Sequence, residues 1–243
     1  MKHQEQKNKN SHNVILLGIV SFLNDLSSEM IMPILPMFIT ALGGAGFAVG
    51  LIGGLRDSIS SILKVLAGYW SDKTGRRKIF VFSGYLTSAI FKFLLSLSAI
   101  WQQILVFASL ERVGKGLRTA PRDAIIADSM PENRGRGFGI HRAMDTSGAI
   151  AGSIVTLILI WFFSLKFKPI ILTASILALL SLIPLHFVRE KKNKPQDISL
   201  KIGLKRLSHP LRLFILISSL FALANFSYMF FILQAKSLFT GKL

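Results

Sequence analysis

The 243-residue chain contains no cysteine, which excludes disulfides and thiolate metal sites. Acidic residues are scarce: 12 Asp and Glu stand against 29 Lys and Arg, for a formal charge of +17. The five histidines are scattered, mostly through polar stretches, and none sits at metal-ligand spacing. Gly-rich phosphate loops and nucleophile–base arrangements are lacking too. No enzyme, cofactor or metal is expected. In a soluble protein so basic a composition would point to nucleic acid. That partner is excluded here, because the basic residues cluster between apolar runs long enough to cross a bilayer, about 20 residues each.

Those runs dominate the rest of the chain, which is 51% hydrophobic. Seven can be read, at roughly 14–40, 48–70, 79–100, 104–120, 143–163, 170–188 and 210–233. No single soluble core could hide so many. The fold class is therefore an all-α membrane protein with about seven transmembrane helices. Residues 1–13 read as a disordered cytoplasmic tail, 14–188 as a six-helix bundle, 189–209 as a basic cytoplasmic linker, and 210–243 as a seventh helix with a short tail. A polar loop is expected over 128–142. The basic start followed by an apolar run has the outline of a signal peptide. No small-residue cleavage site follows, however; Asn24, Asp25 and Glu29 do, then Pro33 and Pro36, so an uncleaved span is expected.

Charge sets the orientation. The connections after the second, fourth and sixth runs hold Arg76, Arg77 and Lys78; Arg134, Arg136 and Arg142; and Arg189, Lys191, Lys192, Lys194, Lys201, Lys205 and Arg206. Those after the first and third hold no Lys or Arg, and that after the fifth only Lys166 and Lys168. The N-terminus and the basic connections should face the cytoplasm. Trp101 and Trp161 then fall at outer ends and Trp70 at an inner end, as interfacial aromatic residues do.

The connection after the second run reads Gly68-Tyr69-Trp70-Ser71-Asp72-Lys73-Thr74-Gly75-Arg76-Arg77-Lys78. Gly68 lets a neighbouring helix approach, Gly75 permits a turn that other residues resist, and Asp72 can cap or pair with another element. Arg76, Arg77 and Lys78 suffice for an inward-facing loop. They do not explain the Gly-x-x-x-Asp-x-x-Gly before them. The string resembles the loop between the second and third helices of the major facilitator superfamily of transporters, in which the Asp contacts a helix of the second half.

Ionisable residues inside spans are costly and each is a functional candidate. Asp25 and Glu29 are four apart on the first span, stacked about 6 Å from each other on one face. Two buried carboxylates that close should share a proton, unless each pairs with a cation from a neighbouring helix. Candidate cations are Arg56 and Lys64 on the second span, Lys92 on the third and Arg112 on the fourth. Asp57, Ser60, Ser61 and Lys64 fall on one face at helical spacing. Arg112, Lys115, Arg118 and Arg122 lie within a third of a helix circumference, a stripe that should face a cavity and not lipid. Arg118 and Arg122 are expected to snorkel to the cytoplasmic side. Gly148 and Gly152, four apart, suit close helix packing. His141 and Asp145, also four apart, read as a structural pair.

Further segments carry the same resemblance. Arg112-Val113-Gly114-Lys115-Gly116 is similar to the family's fourth-helix motif, whose arginine is linked to proton coupling. Residues 131–139 resemble its loop between helices four and five. The string 116–124, with the Asn-Asp-x-Ser-Ser-Glu-Met run over 24–30, resembles one bacterial branch. The family's antiporter motif would place Pro after the second glycine of the fifth span; this chain has Ser153. The resemblance implies a secondary active transporter of a small molecule in a bacterial cytoplasmic (inner) membrane, proton-coupled, with efflux favoured over uptake. Its partners would be substrate, protons and the bilayer.

Such transporters have twelve spans in two similar halves, so the seventh span should echo the first. Asn24 with Ser27, and Asn225 with Ser227, place like polarity in both. The chain supplies the first half plus one helix. It is thus expected to be truncated, or a half-transporter completed by a second chain or a second copy. A non-transporting remnant and a membrane interaction module are the alternatives; the connecting loops are short for the latter.

Overall fold

The computed structural model describes residues 2–190, 207–223 and 227–240, and side chains over 12–190, 207–222 and 227–238. Among the described residues the chain is helical, with no strand. The helices are α1 (Lys2–Ile31), α2 (Leu35–Ala41), α3 (Gly46–Thr74), α4 (Arg77–Ser96), α5 (Trp101–Ser129), α6 (Arg134–Trp161), α7 (Phe167–Leu180), α8 (Leu182–His186), α9 (His209–Leu223) and α10 (Met229–Thr240). Five segments are long and apolar enough to cross a membrane: His12–Ala41, Gly46–Thr74, Arg77–Ser96, Arg134–Trp161 and Phe167–His186. The 29-residue α5 is about 43 Å long at helical rise. It is long enough to span, but Glu111, Arg112, Lys115 and Arg118 interrupt its apolar run. The chain is an all-α membrane protein.

Several boundaries differ from the sequence expectation. Residues 2–13 continue α1 as helix where a disordered tail is expected. The fourth span does not stop at Ala120, because Pro121 is accommodated inside α5; membrane helices tolerate such a proline when neighbours satisfy the freed carbonyl. α5 ends instead at Ser129, capped by Met130 and followed by Pro131, which does not resume it. α6 then starts at Arg134, so the loop expected over 128–142 shrinks to 130–133. Its charges lie on helix ends, and charge alone does not unwind a helix. The seventh run forms two helices of 15 and 12 residues, about 22 and 18 Å long. Residues 224–226, with Asn225 of the proposed repeat, lie outside the described residues, as do 191–206 of the basic linker.

The core pairs are α4 along α5, α1 along α6 and α3 along α5, with α7 against α1 and α4. α1 and α6 cross closely at Gly148 and Gly152, where a Cβ would run into the Phe22 and Leu26 carbonyl oxygens. Apolar side chains pack in two separate clusters. One gathers Met30, Ile31, Ile52, Leu95, Ile104 and Ile170. The other gathers Val14, Leu17, Val81, Tyr85, Ile126 and Leu185. On α1, α4 and α5 the residues between them in sequence are rich in polar and charged side chains. A polar layer thus lies between two apolar ones. Outside, α3, α6 and α7 expose Ile62, Val65, Ile154, Leu157 and Ile176, as lipid-facing surfaces do.

Candidate functional site

The polar layer is built around Glu111 of α5, which is only 4% exposed. Its Oε2 lies 3.2 Å from Arg112 Nε and 3.5 Å from Arg56 Nη2 of α3. Arg112 also reaches Met32 Sδ at 3.5 Å. Both arginines are buried, so one carboxylate holds two guanidinium groups in a low-dielectric interior, where removal of either sign leaves an uncompensated charge. Glu111 belongs to the ionisable residues of the fourth span, each a candidate, but helical spacing gives it no role, because adjacent residues on a helix do not normally face one another. The signal for a hub is arithmetic: four cations crowd this stretch of α5, and buried charge needs counter-charge.

Lys92 of α4 is 1% exposed. Its ammonium donates to Ser28 Oγ at 2.9 Å, Ser27 Oγ at 3.0 Å and the Asn24 carbonyl at 3.4 Å. Among the described residues no carboxylate lies within 4.0 Å of it. Ser27 in turn donates to the Ala174 carbonyl of α7 at 2.6 Å. Three donor positions of Lys92 are thereby occupied by neutral oxygens of α1, and its charge has no direct partner.

Asp25 and Glu29 both line α1 at this level and are partly buried. Asp25 has an acidic partner that the spacing did not indicate: its carboxyl lies within hydrogen-bonding reach of Asp145 on α6. A hydrogen bond between two carboxyl groups requires a proton on one of them. Asp145 also accepts from Arg142 at 3.1 Å. His141 therefore does not pair with Asp145 as expected; its Nε2 lies 2.8 Å from Ser21 Oγ, which also meets the Tyr85 hydroxyl at 3.2 Å. Nor do Arg118 and Arg122 snorkel. Arg118, 2% exposed, donates to Ser88 Oγ at 2.6 Å and stacks on Tyr85 with 4.5 Å to the ring centre. Arg122 binds Asp123 at 3.0 Å and Ser21 at 3.3 Å. Asp57 is exposed on α3 while the adjacent Arg56 is buried, so these two neighbours point to different surroundings.

The loop motif closes one end of the bundle. Gly75 terminates α3 with φ +65°, a left-handed conformation that L-residues resist. Arg77 then turns back and donates to Asp72 Oδ1 through Nε at 3.1 Å and Nη2 at 2.8 Å, and to Asp128 of α5 at 2.5 Å. Its backbone N–H donates to Glu190. Lys78 donates to the His186 and Val188 carbonyls at 2.8 and 2.6 Å. Asn13 clasps Arg189 in both directions, at 2.8 and 3.0 Å. Gly68 faces Ala120 of α5, with 3.2 Å available to a Cβ, and Arg76 is exposed. The loop motif therefore ties the ends of α3, α4, α5 and α8 together. Gly75→Leu should place about 1–2 kcal/mol of backbone strain in this turn. Amide exchange over 75–78 is expected to accelerate while exchange in mid-α4 stays unchanged; equal protection in variant and parent would show that the turn does not need its glycine.

A helical membrane bundle with a charged layer locked inside, its cations and carboxylates drawn from five helices, is the architecture of a membrane transporter. The chain belongs to the Major Facilitator Superfamily, whose family model matches residues 17–240. It is 57% identical over 236 residues to an uncharacterised MFS-type transporter, MJ1317, of Methanocaldococcus jannaschii, covering 97% of this chain and 59% of that protein. It is 32% identical over 186 residues to the multidrug resistance protein MdtG of Enterobacter lignolyticus, covering 74% of this chain and 44% of MdtG. A crystal structure of the peptide transporter POT superposes with a TM-score of 0.68 at 17% identity, over 86% of this chain and 46% of that one. The chain thus spans about half the length of the relatives it matches.

Proposed function

We propose that this chain forms the first half of a proton-coupled secondary transporter for a small molecule, working in the cytoplasmic membrane with its N-terminus inside. The single observation that carries the reading is the buried charge layer on α1, α3, α4, α5 and α6. Ionisable groups are retained at such depth where they mark substrate or ion pathways. Asp25, Glu29 and Asp145 are the proton-carrying candidates, and Arg112 the cation whose pairing responds. Proton movement among them would change what faces Arg112 and Lys115 and so bias one conformation over another. Efflux is favoured over uptake on the likeness to MdtG, named for multidrug resistance. Because the chain spans about half of its relatives, a second reading has it active only when joined to a second half-chain or a second copy.

The test reconstitutes the chain in vesicles holding a pH-sensitive dye and imposes a pH gradient. A panel of candidate drugs and organic acids is added, alone and with the second half of the M. jannaschii relative co-reconstituted. At least one compound should evoke proton flux in the parent. Asp25→Asn, Glu29→Gln and Arg112→Gln should each reduce it by an order of magnitude or more, the scale of a lost proton-transfer group. If all three variants match the parent, these groups are structural ion-pair partners and the proton route lies elsewhere.

A further inference from the structure

Between α1, α3, α4 and α5 lies a cavity of about 10 Å³, room for a single water molecule and nothing larger. Ser28, Arg56, Lys92 and Glu111 line it, together with Ile31, Leu95 and Ala108. Lys92 brings charge to the wall but no spare donor, because oxygens of α1 take all three of its N–H positions. Arg56 and Glu111 are less well served. Among the described residues, Arg56 Nε and Nη1 and Glu111 Oε2 are buried without a hydrogen-bond partner. Glu111 Oε2 does lie 3.5 Å from Arg56 Nη2 and 3.2 Å from Arg112 Nε. Those contacts are ionic and are not aligned as hydrogen bonds. The Arg56 and Glu111 side chains are only 6% and 5% exposed, and polar groups so deep are expensive to leave unpaired. Ser28 Oγ accepts from Lys92 at 2.9 Å, and its hydroxyl keeps a hydrogen of its own to donate.

We infer that this cavity is a binding site for one structural water, which accepts from Arg56 through Nε or Nη1 and from the Ser28 hydroxyl, and donates to Glu111 Oε2. Three partners are what a buried water usually has. Size and chemistry agree: the space admits no polyatomic ligand, and its wall offers donors and an acceptor together. A monatomic anion would use the donors but would face the Glu111 carboxylate, whereas a water meets both. The bridge has a consequence for the bundle. Arg56 stands on α3 and Glu111 on α5, while Ser28 stands on α1 and is held from α4 by Lys92. The water thus joins the Lys92 clamp on α1 to the Glu111 hub; three helices meet at it directly, and α4 through Lys92. A bridging water holds its partners nearly as well as a direct hydrogen bond does, and it can turn to follow them. The inference goes beyond the transporter reading and does not depend on it.

The test labels the full chain in nanodiscs with hydroxyl radicals from brief X-ray radiolysis and reads the products by mass spectrometry. A radical formed from a trapped water oxidises the side chains around it, however shielded they are from bulk solvent. Ile31 and Leu95 are 3% and 2% exposed and line the cavity. They should be oxidised several-fold faster than Leu35 and Ile39, which are also buried but do not line it. Arg56→Met keeps an unbranched side chain and removes its donors. It should abolish that excess, while oxidation of Trp70, which is exposed, stays as in the parent. Should Arg56→Met not fold, a crystal structure of the parent decides: density for a lone oxygen within hydrogen-bonding distance of Arg56 and of Glu111 Oε2 supports the site. The inference is overturned if Ile31 and Leu95 are labelled as slowly as Leu35 and Ile39, or if a folded Arg56→Met is labelled like the parent. It is also overturned by a crystal structure without density at this position, or by an anomalous bromide peak there in crystals grown with bromide, which would make the ligand an anion.

Discussion

Glu111→Ala is expected to be the most damaging single substitution in the charge layer. The carboxylate holds Arg112 at 3.2 Å and Arg56 at 3.5 Å, and all three residues are nearly closed to solvent. Removing it leaves two buried guanidinium groups facing one another. Breaking a buried ion pair by deleting one partner typically costs about 3–5 kcal/mol. For a chain of this size that corresponds to a fall in melting temperature on the order of 10 °C. Thermal unfolding of detergent-solubilised protein, followed by helical circular dichroism, measures it. Glu111→Gln should fall less, because it keeps an acceptor oxygen. The double variant Glu111→Ala with Arg56→Met should recover part of the loss, since it removes one orphaned charge together with its former partner. A Glu111→Ala protein as stable as the parent would mean that water or lipid headgroups reach this layer and solvate the arginines.

The second large effect is expected at the crossing of α1 and α6. A Cβ at Gly148 would strike the carbonyl oxygen and Cα of Phe22, and one at Gly152 the Leu26 carbonyl. The obstructing atoms are backbone, which cannot swing aside as a side chain can. Gly148→Ala and Gly152→Ala should therefore each cost about 1–3 kcal/mol through overpacking, against helix propensity, which favours alanine by about 1 kcal/mol. Combined, they should push α6 off α1 and separate Asp145 from Asp25. Gly139→Ala on the same helix is the control, since nothing lies within 4 Å of its Cβ position; it should be neutral or slightly stabilising. Yield of monodisperse protein and thermal midpoint are the readouts. If the double variant and the control behave alike, the helices have room to slide apart and the close crossing is not a determinant of the fold.

Much of the fold was legible in the residues. Long apolar runs, the lysine and arginine asymmetry between connections and the loop string from Gly68 to Lys78 were enough to read a helical membrane protein of a facilitator type. These are properties of segments. A run of about 20 apolar residues must be helical in lipid, because its own backbone has to satisfy every hydrogen bond. Gly75 belongs to the same category: a turn after an apolar helix called for φ above zero, and φ is +65° there.

Other features arose only from which helices meet. Residues 128–142 read as a polar loop, yet α5 continues through Pro121 to Ser129 and α6 begins at Arg134. Neighbouring helices supply partners for the charges along α5: Asp128 takes Arg77, and Ser88 with Tyr85 takes Arg118. Asp145 stood at an apparent loop edge until the α1–α6 crossing brought it against Asp25. Glu111 sat beside Arg112 in sequence, where a helix normally turns neighbours apart, and became a hub because α3 presents Arg56 to the same oxygen. By itself the sequence determined that these helices cross a membrane and which of them carry charge, since burial in lipid is a property of each segment's own composition. Only the tertiary structure decided which charges neutralise one another and which, like Lys92, meet only neutral oxygens among the described residues, because pairing depends on distances of a few ångströms between helices far apart along the chain.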